Sequence, residues 1–241
     1  MNGHLKGKKV IILGGSAGIG LATAKAAAAE GADVIIGSSK QERIDLALSA
    51  LPTGAKGFVI DLSKEAEIES FFHHEGPFDH LVYTAGEQLL LGELAVTPIN
   101  NIKNAFTVRY YGALCAVKYG SANINKGGTI TLTAGIAASK PNKGWTAGAS
   151  ICAAVEGLTR ALAVELAPIR VNAVSPGLVR TDLWANMTAT DREALYEAFG
   201  NSLPVGRVGE SEDISAAYIY LMKQEYGTGQ IIVADGGYLL V

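Results

Sequence analysis

An apolar run, Val10–Leu13, is followed by Gly14-Gly15-Ser16-Ala17-Gly18-Ile19-Gly20 and then by an alanine-rich stretch reaching Glu30. Four glycines in seven residues are more than a plain turn needs. Glycine permits positive φ and lets backbone approach a ligand closely. A helix starting here presents free N–H groups and the positive end of its dipole to a pyrophosphate. Gly20 lets that helix pack tightly on a sheet. A glycine motif alone is weak, but here a strand precedes it and an uninterrupted helix follows. The loop predicts a dinucleotide site built from Gly14, Ser16, Ala17, Gly18, Ile19 and Gly20.

The same alternation continues along the chain. Apolar or β-branched runs at Val34–Gly37, Phe58–Ile60, Asp79–Thr84, Thr129–Thr133, Ile169–Ser175 and Gln230–Ala234 read as strands. Helical stretches fall at Gly18–Glu30, Glu42–Leu51, Ala66–His73, Ile102–Ile124 and Ala147–Leu166, and Pro52–Gly54 breaks the second of these. Strands separated by helices imply parallel pairing. The expected class is α/β: a Rossmann-type doubly wound parallel sheet of about seven strands with helices on both faces. Ligands bind along the edge where strands end and helices begin. No repeat or linker interrupts the pattern, so residues 1–241 read as a single dinucleotide-binding domain whose substrate cleft comes from its carboxy-terminal half.

Composition narrows the partners. The formal net charge is −3 and charged residues make up 18 %, which gives no electrostatic reason to expect nucleic acid or an anionic membrane. No run reads as long and apolar enough to span a bilayer, and Met1–Lys9 lacks the apolar core of an export signal. Cys115 and Cys152 stand apart, as suits a cytoplasmic protein. His73, His74 and His80 lack the spacing of a metal site, so no metal is expected and these read as solvated residues near a helix end.

The end of the second strand bears on cofactor choice. An acid there would hydrogen-bond the ribose and repel a 2′-phosphate. This chain has Gly37-Ser38-Ser39-Lys40, with Arg43 beyond. Hydroxyls and cations suit a phosphate, and Ser38, Ser39 and Lys40 predict NADP(H) as the cofactor.

The spacing of Gly14, Gly18 and Gly20 resembles the short-chain dehydrogenase/reductase family, and further segments agree in order. Asp61-Leu62 resembles the pair that contacts adenine. Tyr83-Thr84-Ala85-Gly86 resembles the family's Asn-Asn-Ala-Gly segment with both asparagines replaced. Val155–Thr159 and Ile169–Asn172 resemble the central helix and the strand after it. Ser175-Pro176-Gly177, followed by Val179 and Thr181, resembles the segment that holds the nicotinamide amide. Pro204–Arg207 and Asp235–Gly237 resemble the carboxy-terminal signatures. The resemblance implies cofactor contacts at Asp61, Leu62, Thr84, Ala85, Gly86, Pro176, Gly177, Val179 and Thr181, and a homodimer or homotetramer.

The catalytic positions depart from the family. Its tyrosine and lysine, spaced YxxxK, fall on Gly148 and Cys152; its serine falls on Gly135 and its helix asparagine on Arg109. No tyrosine occurs between Tyr119 and Tyr196, so a small misalignment does not restore the acid. Arg109 shares a helical stripe with Ile102, Phe106, Ala113 and Ala116. It either binds an anionic or carbonyl group of the substrate or forms an ion pair with Glu165, Asp182 or another acid. Trp145 either walls a substrate pocket or packs in the core. Asn142 is a hydrogen-bond donor to substrate or a turn former. Thr133, like Thr131, supplies a hydroxyl where serine is missing or is structural. The segment Ala185–Asn201 is expected to cover the cleft. The expected function is hydride transfer between NADP(H) and a small organic carbonyl, imine or activated alkene. The alternative is a non-catalytic NADP(H)-binding sensor or partner subunit.

Overall fold

The computed structural model describes residues 5–241, so the reading of Met1–Lys9 falls partly outside the described residues. Seven strands form one sheet: β1 (Lys9–Leu13), β2 (Asp33–Ser38), β3 (Lys56–Val59), β4 (Phe78–Tyr83), β5 (Ile124–Thr133), β6 (Arg170–Pro176) and β7 (Ile231–Ala234). Their order is β3-β2-β1-β4-β5-β6-β7, and every pairing is parallel. The chain winds outward in one direction from β1 and in the other from β4. The crevice between β1 and β4 is therefore the switch point where a ligand can enter.

Side-chain alternation builds two apolar layers. Ile11, Leu13, Leu81, Ile130 and Val171 face α3 (Glu65–Glu75), α5 (Ala113–Gly120) and α6 (Thr146–Glu165). Val10, Ile12, Val34, Ile36 and Val82 face α1 (Gly18–Ala29), α2 (Gln41–Ser49) and α8 (Ser211–Lys223). The central strands are buried on both faces, which is why they read as unbroken apolar runs. Each such aliphatic side chain contributes on the order of 1.5–3 kcal/mol on burial.

Several expectations need correction. The stretch Ile102–Ile124 is not one helix. It divides into α4 (Ile99–Ala105), a π-helical turn (Thr107–Gly112), α5 and a short 3-10 turn, and Ile124 already begins β5. The α8 helix is absent from the sequence reading, although Glu210 and Asp213 form a reciprocal capping box just ahead of Ile214, Tyr218 and Leu221. Most of the expected cover, Ala185–Asn201, is α7 (Ala189–Ser202), and a 3-10 turn at Asp182–Trp184 lies just ahead of it.

The α6 helix does have the length and apolar composition to cross a membrane. Its Ile151, Val155, Thr159 and Leu162 are buried against the sheet, so it meets that test as a core helix does.

His73 and His74 are exposed in the last turn of α3, whereas His80 is only 4 % exposed on β4. Its Nδ1 pairs with the Thr129 hydroxyl at 2.9 Å. Burial holds its pKa down at about 4. Below the ordinary histidine value of 6.5 the unfolded chain takes up a proton that the folded chain refuses. Stability should therefore fall as pH drops from about 6.5 towards 4, and His80→Gln should flatten that slope in urea titrations across the range. An unchanged slope would remove His80 as its source.

Candidate functional site

The loop leaving β1 is positioned by backbone contact. Gly14 has φ 90° and Gly18 φ 49°, both in the region that favours glycine. A Cβ on Gly14 would lie 2.5 Å from the Ala85 nitrogen, and one on Gly20 would lie 2.2 Å from the Gly14 carbonyl oxygen. The α1 helix starts after Ala17, which offers no side-chain cap, and its first turn holds no acid. Its N–H groups and dipole are thus left for an anion. A cleft of about 890 Å³ opens here. This arrangement fits a pyrophosphate.

All the residues expected to touch the cofactor line this cleft except Lys40. Lys40 is exposed at the N-cap of α2, and Arg43 lines the cleft instead. The Ser16 hydroxyl donates to Ser38 Oγ at 2.8 Å, joining the phosphate loop to the end of β2. Asp61 accepts from the Ser63 hydroxyl at 2.6 Å and its N–H at 3.0 Å, and these bonds hold its pKa below the usual value.

The four departures from the family's catalytic positions meet in one place. Arg109, Gly148 and Cys152 line a small recess of about 40 Å³ that opens on the large cleft, and Thr84, Ala85, Arg109 and Cys152 are among the residues common to both. A Cβ on Gly135 would lie 3.0 Å from Cys152 Sγ. Burial pushes the Cys152 thiol up to about 11, so it stays protonated at neutral pH.

Arg109 sits on the π-helical turn because side chains from β4 and its following loop occupy the turn's backbone. Glu87 Oε1 accepts the Val108 N–H at 2.6 Å, and the Tyr83 hydroxyl donates to the Val108 carbonyl at 2.6 Å. The backbone N–H groups of Tyr110 and Tyr111 both donate to the Phe106 carbonyl at 3.0 Å, which widens the turn. Gly112 makes room, since a Cβ there would lie 2.4 Å from the Tyr83 hydroxyl. The guanidinium lies against Gly86, where a Cβ would come within 2.6 Å of Cζ. It donates to the Glu87 carbonyl, and Nε lies 4.0 Å from Glu87 Oε2. The ion-pair partner of Arg109 is therefore Glu87, not Glu165 or Asp182. Burial lowers the Arg109 pKa and the Glu87 charge opposes that shift; an arginine stays cationic regardless.

The other candidates divide. Thr133 lines the cleft, but its hydroxyl donates to the Tyr83 carbonyl at 2.6 Å and meets the Tyr218 hydroxyl at 2.6 Å. Its one proton is spent within the fold, which favours the structural one of its two readings. Trp145 packs on Trp184 with ring centroids 6.4 Å apart and lies beside Gly148. It belongs both to an apolar cluster and to the cleft wall, so its two readings coincide. Asn142 lines the cleft and meets the Tyr238 hydroxyl at 3.5 Å. Glu87, Gln88 and Trp184 also line the cleft and were not among the expected residues. The usable signal was position: Glu87 and Gln88 follow Gly86 directly, where a strand exits at the sheet's ligand-binding edge. Gln88 bonds to Asn186 at 2.9 Å, tying that exit to the segment ahead of α7.

A family profile described as enoyl-(acyl carrier protein) reductase matches residues 14–239. The chain is 36 % identical to the short-chain dehydrogenase/reductase ATR9 of Stachybotrys chlorohalonatus, covering 98 % of both chains. A solved small-chain dehydrogenase in complex with NADPH is 36 % identical, with TM-score 0.84 over 98 % of this chain and all of that one. The MalC reductase/Diels-Alderase of Malbranchea aurantiaca is 30 % identical, with TM-score 0.92 over all of this chain and 99 % of that one.

Placing Arg43 on the cleft wall gives a direct test. Arg43→Ala should raise the Kd for NADPH about tenfold, roughly 1.4 kcal/mol, and leave the Kd for NADH unchanged. Lys40→Ala should leave both unchanged. Equal weakening of NADPH and NADH by Arg43→Ala would place Arg43 away from the 2′-phosphate.

Proposed function

Because this chain belongs to the short-chain dehydrogenase/reductase family and is an NADP-dependent oxidoreductase, we propose that it transfers hydride between NADP(H) and a small organic carbonyl, imine or activated alkene without a tyrosine acid. The supporting observation is Arg109. It stands among the positions that lack the family's proton-carrying side chains, and it faces the same cleft as the phosphate loop. When bound, the cofactor supplies hydride from nicotinamide C4. The cofactor residues of this reading are the lining set above, with Arg43 in the place expected of Lys40.

The protein's own part is orientation and electrostatics. Arg109 makes one side-chain hydrogen bond, to the Glu87 carbonyl, and keeps its remaining donors for a ligand. Held by Gly86 and Glu87, those donors are preorganised for an oxygen that gains negative charge as hydride arrives. A protonated imine carries its own positive charge and needs less help from an acid, so the lost tyrosine and lysine matter less there. Trp145 and Asn142 shape the pocket, and the segment joined through Gln88 and Asn186 covers it. The competing reading, a sensor without turnover, shares the cofactor site and differs only in chemistry.

Arg109→Met decides between roles. Steady-state NADPH oxidation against ketones, imines and enones should show kcat/KM lowered about 100-fold, roughly 2.7 kcal/mol of transition-state stabilisation, with NADPH affinity retained. Undiminished turnover would take Arg109 out of the mechanism. Tight NADPH binding by the native protein without turnover of any such substrate would favour the sensor. We also propose self-association as a homodimer or homotetramer through the α5 and α6 region, where Tyr111 and Val164 expose large apolar side chains, and a cytoplasmic setting for the two free cysteines. A monomer in light scattering would refute that assembly.

A further inference from the structure

We infer that Glu87 sets the charge preference of the substrate site: by balancing Arg109 it makes the site take a neutral, largely apolar molecule bearing a carbonyl-type acceptor, and reject a carboxylate of the same shape. The inference rests on Arg109 facing the substrate, as proposed above.

The state of the Glu87 carboxylate carries the argument. Oε1 is committed to the Val108 N–H at 2.6 Å. Oε2 is buried, accepts no hydrogen bond and lies 4.0 Å from Arg109 Nε. A buried carboxylate oxygen without a donor depends on the nearest opposite charge. Arg109 supplies that charge through space while its free N–H groups still reach the cleft. A substrate carboxylate there would place two anions on one guanidinium and leave a net negative charge in a half-buried site. A ketone, lactam or amide oxygen accepts the same N–H groups and leaves the charge balance as it is.

The surroundings agree. Lys140, the other cation near this part of the cleft, donates to the Tyr238 carbonyl at 2.9 Å and to the Val241 carbonyl. Asp182 adds an acid to the wall. Among the described residues, the two cations at this end of the cleft, Arg109 and Lys140, are matched in number by the acids Glu87 and Asp182, so an added anion tips the balance negative. Trp145, Trp184, Leu183, Met187 and Phe199 give the remaining wall an apolar and partly aromatic character. Such a wall suits a ring-bearing substrate.

Two ligands of one shape, 2-naphthamide and 2-naphthoate, separate charge from fit, and neither is reduced by NADPH. Calorimetric titration into the NADPH-loaded protein should give a Kd for the amide about tenfold lower than for the carboxylate. Glu87→Gln keeps an acceptor for Val108 and removes the charge, so it should reverse the preference towards naphthoate. Glu87→Asp should retain the preference for the amide. Arg109→Gln should weaken the amide several-fold. Tighter naphthoate binding by the native protein, an unchanged ratio in a folded Glu87→Gln, or no binding of the amide would each overturn the inference. Turnover reports separately: amide-selective binding without NADPH oxidation by any carbonyl, imine or enone would sink the hydride-transfer reading and leave the charge assignment standing.

Discussion

Backbone meets backbone where β1 and β4 leave the sheet. The Thr84 N–H donates to the Leu13 carbonyl at 2.8 Å, extending the strand ladder to the rim of the cleft. Gly14 and Gly20 then bring the loop and the start of α1 within van der Waals reach of Thr84 and Ala85. No side chain larger than hydrogen fits at either glycine without moving backbone. That contact sets where α1 aims its N–H groups and where Gly86, Glu87 and Gln88 emerge. The phosphate end and the chemical end of the cleft are placed by one junction.

From that junction the electrostatics follow. Glu87 reaches into the helix that carries Arg109, takes the N–H of Val108 and so helps to open a π-helical turn. The same residue's carbonyl and carboxylate hold the guanidinium. A charged arginine can stay in a half-buried position because its counter-charge and its geometry come from one neighbour. The site thereby has a fixed cationic donor where the family places an asparagine, glycines where it places its serine and tyrosine, and a protonated thiol where it places its lysine.

Much of the fold was legible in the sequence. The strand-helix alternation and the glycine loop are local signals, and the central strands β1, β2 and β4 showed their two-sided burial as apolar runs. The π-helical turn was not legible, because its cause is Tyr83 and Glu87, more than twenty residues upstream of Val108. His80 reads differently once folded for a related reason: it lies within the run expected as a strand, Asp79–Thr84, and pairing with β5 buries it beside Thr129, away from His73 and His74 at the helix end. The α8 helix does carry a local signal in its sequence, the Glu210–Asp213 capping box.

What the sequence by itself determined is the Rossmann-type sheet, the phosphate loop, and the absence of a tyrosine near position 148. These follow from residue type and spacing alone. The tertiary structure decided the rest: that Arg43 rather than Lys40 lines the cleft, that the Thr133 proton is already used, and that Arg109 is balanced by Glu87. Each depends on which side chains converge from distant segments, and burial then sets how much a lone charge or an unshared proton costs. Residue lists do not contain that convergence, because it arises only when β4, its exit loop and the turn around Arg109 are packed together.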